Sequence, residues 1–395
     1  MKIAVVSPMI YPCPAIKGGA VERLTQYLAE QIAKNGNIVD LYTIYAEGLQ
    51  EKYKYKNINL IQIKINPFIK KFNILYEKVN HKIFKGKLKF YNAVYKKTAK
   101  KVAKNNNYDY IIVENEMVLY NYIYKYNKNS RMIYHMHNDF YALNRTPKCY
   151  SIISNTAFKI LTVSDYIKSR CQEVKNTNNI HTLYNCIDTE IFNDNETQNY
   201  RKEYGINETD IVIGFAGRMI REKGILELVR AFKKIKTTKE LKLLIVGSKD
   251  YENLKKDKYV QEIYDEIESM GDKVIFTGHV NYEKMPKIYN TMDVLAIPSM
   301  WEEPFGCVAI EGMAMGIPIV ATKSGGLTEI ISEKNGFIID KNKEVIDNLA
   351  KKLGLLVNSQ ELRDNISNLT RHDFKEHKEY NKENYYDYFI KKLNH

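Results

Sequence analysis

DIVIGFAGRMIREKGILELVRAFKKI, residues 210–235, carries a complete strand, loop and helix in its own pattern. It opens with a β-rich apolar run, DIVIGFAG. The following GRMIREKG (217–224) is bounded by glycines, and ILELVRAFKKI then repeats apolar residues at the spacing of an amphipathic helix. An apolar strand feeding a helix through a short loop is the repeating unit of parallel α/β architecture.

The same unit recurs in both directions. Upstream, strand-like runs are KIAVVSP (2–8), IVDLYTI (38–44), INLIQIKI (58–65), YDYIIVE (108–114), RMIYHMH (131–137), FKILTVS (158–164) and NIHTLYN (179–185). Downstream they are LKLLIVG (241–247), KVIFTG (273–278), MDVLAIPS (292–299), IPIVAT (317–322) and GFIID (336–340). The polar stretch NCIDTEIFNDNETQNYRKEYGINETD separates the two series, so the reading is two α/β domains divided near residue 190: 1–190 and 191–373. Beyond the last strand, Phe374, Tyr385, Tyr388, Phe389 and Leu393 have roughly helical spacing, which predicts a helix over about 374–395 that returns to the first domain.

Bulk properties agree with two globular domains. The chain has 395 residues, 44% hydrophobic and 27% charged, too long for one ordinary core. No apolar run reaches the roughly 18 residues of a membrane span, and MKIAVVSP turns polar too early for a signal peptide. The expected place is the cytoplasm. Cys13, Cys149, Cys171, Cys186 and Cys307 show no CxxC pair and no zinc spacing, which suits reduced, unpaired thiols. The net charge of +13 is concentrated between Lys64 and Lys104, where thirteen lysines face only Glu77. Such a window suits an anionic membrane surface, at the inner face of the cell membrane, or a solvated helix face. Nucleic acid is disfavoured: the window lacks arginine, and no zinc-finger, RNP-like or KH-type motif is present.

Chemistry concentrates in two loops. Arg218 and Lys223 stand between a strand and a helix, where two cations can neutralise a pyrophosphate or can simply be solvated. In EPFGCVAIEGMAMGIPIVAT, Glu303 precedes a helix expected to begin near Phe305 or Gly306, and Glu311 lies about two turns inside it. Backbone N–H groups near Gly306, Cys307 and Val308 suit a phosphate or sugar hydroxyl. Each glutamate can accept two protons from a diol; the alternatives are a dipole-favoured charge for Glu303 and a structural residue for Glu311. His137 ends a strand, with His135 on the same side but deeper.

These residues resemble glycosyltransferase family 4, retaining enzymes of the GT-B fold found in bacterial capsule, cell-envelope and spore-coat polysaccharide pathways. Glu303 and Glu311 match its E-x7-E motif and GRMIREKG its GR-x4-KG element. KGGAVERL (17–24), HMHND (135–139), TVSDYIKSR (162–170), LYNCIDTEIF (183–192) and SGGLTEII (324–331) extend the resemblance over essentially the whole chain.

The resemblance implies two Rossmann-like parallel-sheet domains facing across a cleft, the first binding acceptor and the second the nucleotide sugar. It implies that Arg218 and Lys223 bind the donor diphosphate, Glu303 the transferred sugar and Glu311 the ribose. Phe305, Gly306, Cys307 and Val308 would line the donor, Gly18 and Gly19 would let backbone approach the diphosphate, and His137 would bond a sugar hydroxyl. Catalysis would thus involve Glu303, His137, Arg218 and Lys223. Cys186 departs from the family's NG-x-D element, where glycine would follow Asn185, which removes support for any role needing a positive φ there. No DxD motif occurs, and the two cations with the helix end can take the electrostatic part of a metal, so no metal or other cofactor is expected. The expected activity is hexosyl transfer with retention, from a UDP-sugar in preference to a GDP-sugar, to a glycan or lipid-linked acceptor. A sugar-nucleotide epimerase and a noncatalytic nucleotide-sugar-binding protein are the alternatives.

Overall fold

A computed structural model describes residues 1–16, 18–66, 68, 92–105, 107–139, 147–193, 198–247 and 258–394. The chain divides into two compact units, Met1–Tyr184 with Tyr385–His395, and Asn185–Asn384. The division therefore falls a few residues before the expected 190, and the returning segment begins at Tyr385 rather than near 374.

In the first unit the strands are β1 (Lys2–Val6), β2 (Ile38–Ile44), β3 (Ile58–Ile63), β4 (Tyr110–Glu114), β5 (Met132–Met136), β6 (Lys159–Thr162) and β7 (Ile180–Thr182). They pair in parallel in the order β3-β2-β1-β4-β5-β6-β7. Among the helices are α1 (Ala20–Lys34), α2 (Ala93–Lys104), α3 (Met117–Tyr126), α4 (Pro147–Thr156) and α5 (Asp165–Val174). In the second unit, β8 (Ile211–Ala216), β9 (Leu241–Val246), β10 (Val274–Gly278), β11 (Val294–Ile297), β12 (Ile319–Thr322) and β13 (Gly336–Ile339) form a parallel sheet ordered β10-β9-β8-β11-β12-β13. Here the helices include α6 (Ile225–Lys234), α7 (Lys258–Ile267), α8 (Cys307–Ala314), α9 (Val345–Asn358) and α10 (Gln360–Glu376). Every expected strand run forms a strand.

The apolar runs are continuous rather than alternating because helices cover both faces of a parallel sheet. All six residues of β9 are buried, including Lys242, whose ammonium reaches the Asp272 carboxylate at 2.7 Å. Ile213, Phe215, Leu228, Val229, Leu243, Ile245, Leu349 and Leu353 share the core of this unit, each such side chain contributing roughly 1.5–3 kcal/mol. In both sheets the strand order reverses once, between β1 and β4 and between β8 and β11. Ligands of open α/β sheets bind outside the carboxyl ends of the strands at that reversal.

The last helix, α11 (Tyr385–Asn394), belongs to the first unit, burying Tyr385, Phe389 and Leu393 at four-residue spacing. The Tyr386 hydroxyl receives a hydrogen bond from the Asn37 amide at 3.1 Å, just past α1. Phe374, grouped with it in the sequence, instead lies in α10 of the second unit. Most of the lysine-rich window, residues 67 and 69–91, lies outside the described residues. Its described part, α2, buries Tyr95, Thr98, Ala99 and Val102, and exposes Lys96, Lys97, Lys100, Lys101 and Lys104. Among the described residues no helix is long and apolar enough to cross a membrane.

Candidate active site

In the second unit the reversal point brings two loops side by side. The loop after β8 holds Arg218 and Lys223 and ends at Gly224, which caps α6 in the left-handed region at φ 67°. A Cβ there would come within 1.8 Å of the Pro298 carbonyl oxygen, so only glycine lets this loop press against the one leaving β11. Across that contact the Lys223 ammonium donates to Glu303 Oε1 at 2.6 Å.

Glu303 is 6% exposed. Its Oε1 also accepts from the Ser299 hydroxyl, its N–H donates to Ser324 Oγ at 3.0 Å, and its carbonyl accepts from Gly326 N at 2.8 Å. Burial alone would raise its carboxyl, but Lys223, Ser299 and Trp301 outweigh it and hold the carboxyl below its ordinary value. The side chain is therefore an anion with fixed direction. Arg218 is exposed and makes no ion pair among the described residues.

The next residues turn into α8, with Gly306 as its amino-terminal cap and Cys307 its first residue. The N–H groups of Gly306, Cys307 and Val308 donate to no group among the described residues, as expected at a helix start. Glu311 is buried and accepts from the Tyr289 hydroxyl at 2.6 Å. Burial pushes the Cys307 thiol up to about 12 and the Cys186 thiol well above its usual range, so neither is a ready nucleophile. The Asn185 amide donates to Cys307 Sγ at 3.7 Å, tying LYNCIDTEIF to the start of α8. Cys186 is not among the residues with positive φ, so cysteine stands there without strain.

In the first unit, Gly18 and Gly19 follow β1 with φ of 77° and 103°, and Gly19 caps α1. A Cβ on Gly19 would meet Glu22 Oε2 at 2.2 Å, and burial raises this carboxyl above its ordinary value. At the ends of β4 and β5, His137 is bonded through Nε2 to Glu114 Oε2 at 2.6 Å, and His135 Nδ1 lies 3.0 Å from the same oxygen. All three are buried. Burial and then the nearby His135 lower His137 to about 4, while the two histidines, against the opposing effect of burial, bring Glu114 to about 2. The pair at neutral pH is thus a carboxylate and a neutral imidazole.

These three side chains each offer one metal-ligating atom, all within 4.8 Å of one another. Neighbouring ligands of a tetrahedral zinc stand about 3.3 Å apart, given metal–ligand bonds of about 2.0 Å. The 2.6 Å separation is that of a direct hydrogen bond.

Sequence reasoning missed Glu114, Ser299, Ser324 and Tyr289. For Glu114 a signal was present: a carboxylate closing the apolar run YIIVE. The serines and Tyr289 carried none, since each acts through a partner remote in sequence.

Known proteins resemble this chain in sequence and in fold. Residues 18–191 match Glycosyltransferase Family 4 and residues 196–373 match the glycosyl transferases group 1. The chain is 30% identical over 265 residues to the lipopolysaccharide 1,2-N-acetylglucosaminetransferase of Salmonella typhimurium, covering 62% of this chain and 67% of that one. It is 24% identical over 387 residues to spore coat protein SA of Bacillus subtilis, covering 94% of each. Among solved structures, Anabaena HepE in complex with UDP-glucose superposes with a TM-score of 0.77 at 16% identity, over 100% of this chain and 99% of that one. WaaG, a glycosyltransferase involved in lipopolysaccharide biosynthesis, gives 0.68 at 18% identity over 96% of each. Two parallel Rossmann-like sheets, both family motifs in place and matches that run from residue 18 to residue 373 lead to one conclusion: this chain belongs to glycosyltransferase family 4 and has the GT-B fold.

Proposed function

We propose that the chain transfers a hexose from a UDP-sugar, with a GDP-sugar as the second candidate donor, to a hydroxyl of a glycan or lipid-linked acceptor, retaining the anomeric configuration. The observation that carries this reading is the Lys223–Glu303 pair, 2.6 Å apart at the reversal point of the second sheet and beside the open N–H groups that start α8. Lys223 and Arg218 supply positive charge for a diphosphate in the ground state and as it departs. Glu303, anionic and fixed, accepts from sugar hydroxyls, and Glu311 from a ribose. Phe305, Gly306, Cys307 and Val308 line the donor. Gly18, Gly19 and His137 enter by resemblance, His137 toward a sugar hydroxyl.

The transferase names of the relatives support transfer over the epimerase alternative, and the lipopolysaccharide and spore-coat names support a place in surface polysaccharide synthesis. The UDP-glucose held by Anabaena HepE supports a uridine donor. No metal is needed in this scheme. The exposed lysines of α2 would hold the enzyme at the inner face of the cell membrane, each contributing about 1 kcal/mol near anionic lipid.

A thermal-shift screen of UDP- and GDP-sugars tests the donor: at 100-fold its dissociation constant the right one stabilises by about 2.7 kcal/mol. With that donor labelled, product should form only with added lipid or glycan acceptor, and its anomeric proton should show retention. Conversion of the donor without acceptor would select the epimerase, and a shift by no nucleotide sugar would overturn the donor site.

A further inference from the structure

The parallel register of β4 and β5 pairs Glu114 with His135, and His137 follows two residues later on the same side. At the ends of these strands the backbone is held as well as the side chains. Asn115 sits in the left-handed region at φ 56°, which costs a non-glycine residue free energy, though asparagine least. There its Oδ1 accepts from the N–H groups of His137 and Asn138 at 3.0 and 3.1 Å, and its own N–H donates to the His135 carbonyl at 2.7 Å. With the backbone at 137 so fixed, the freedom left to the residue is that of its side-chain torsions. Glu114 removes it through the 2.6 Å bond to Nε2.

A carboxylate accepts and does not donate, so the imidazole nitrogen facing it carries the proton and the opposite nitrogen is bare. That bare Nδ1 is buried and has no hydrogen-bond partner among the described residues. An unmet buried acceptor is costly, and native structures keep such costs where function uses them. A hydroxyl is the group that fits: it donates to Nδ1, and the anion behind the ring makes that nitrogen a stronger acceptor, as a carboxylate orients and polarises an imidazole in hydrolytic triads.

We infer that Glu114 is the positioning residue of His137: its carboxylate fixes the imidazole with the proton on Nε2 and presents Nδ1 to a hydroxyl of the sugar being transferred. Asn115 sets the backbone for the same purpose. The inference rests on the transferase reading above and on His137 meeting the sugar.

The test uses the full chain in four forms, wild type, Glu114→Gln, Glu114→Ala and His137→Ala, with the double variant Glu114→Ala/His137→Ala. Glutamine keeps an acceptor toward Nε2 and loses the charge; alanine loses both. Turnover with the donor found by thermal shift should fall about tenfold in Glu114→Gln and about a hundredfold in Glu114→Ala, in kcat more than in the donor KM. The double variant should be no slower than His137→Ala alone, because the carboxylate acts only through the ring. Nitrogen-15 spectra of histidine-labelled protein should show the His137 ring as a single Nε2-protonated tautomer in the wild type and as a mixture in Glu114→Ala.

Wild-type kcat in both Glu114 variants, additive losses in the double variant, or the same single tautomer in Glu114→Ala would each overturn the inference. If Lys223→Ala and Glu303→Ala abolish transfer while the Glu114 and His137 variants keep wild-type kcat, the transferase reading stands and the positioning role fails. If no nucleotide sugar is turned over or bound, the transferase reading fails, and the spectra still decide whether Glu114 sets the ring.

Discussion

Glu303 divides one oxygen between the Lys223 ammonium and the Ser299 hydroxyl, and this sharing sets what either substitution does. Removing one partner of a buried pair leaves an uncompensated charge, which costs about 3–5 kcal/mol. Lys223→Ala should therefore lower both stability and transfer, kcat/KM by about 10²–10³. The carboxyl of Glu303 lies below its ordinary 4.5 in the fold, so its pairing stabilises above that value and is lost as pH falls through the lowered one. The gap in melting temperature between wild type and Lys223→Ala should thus narrow as pH falls below 4.5; a gap that stays constant there would sink the pairing as its cause. His137 acts in the same direction. Its fold value of about 4 lies below the ordinary 6.5, so the unfolded chain binds the extra proton between them. The first unit should lose on the order of 3 kcal/mol over that window, and His137→Gln should flatten the loss in calorimetric pH scans.

At the level of elements, the two loops of the second unit depend on close backbone contact as much as on charge. Gly224→Ala places a Cβ against the Pro298 carbonyl in a left-handed turn, and should cost at least about 2 kcal/mol, read as a lower midpoint in urea. Chelation is the complementary test of the proposed site's electrostatics: transfer in EDTA should equal transfer in added magnesium if, as proposed, Arg218 and Lys223 carry the charge a metal would bring. Much of this was legible in the residues. Strand runs are continuous because both faces are buried, and Lys223 and Glu303 announce themselves through glycines and a helix start. What could not be read is register. Glu114 and His137 lie 23 positions apart and meet because β4 and β5 pair Glu114 with His135, a choice that no single sequence pattern encodes. Ser324, in a third loop, reaches the Glu303 backbone for the same reason.

Across the whole molecule, each unit has its own sheet and core, but only the second is built from one continuous piece of chain. Removing residues 385–395 would strip Tyr385, Phe389 and Leu393 from the first unit, a loss on the order of 5 kcal/mol from apolar burial. Calorimetry of that truncation should show the first unit's transition lowered and the second's kept; an unchanged first transition would contradict the assignment of α11. The discontinuity also governs how the protein is made. Ribosomes release the first 184 residues and then add the two hundred from Asn185 to Asn384 before α11 emerges. At about 5–20 residues per second, that interval lasts roughly 10–40 s. Throughout it, the nascent amino-terminal unit waits with the seat of α11 bare, a natural site for a chaperone. A message cut short before Tyr385 would yield a product whose second unit is complete and whose first is left exposed to proteases.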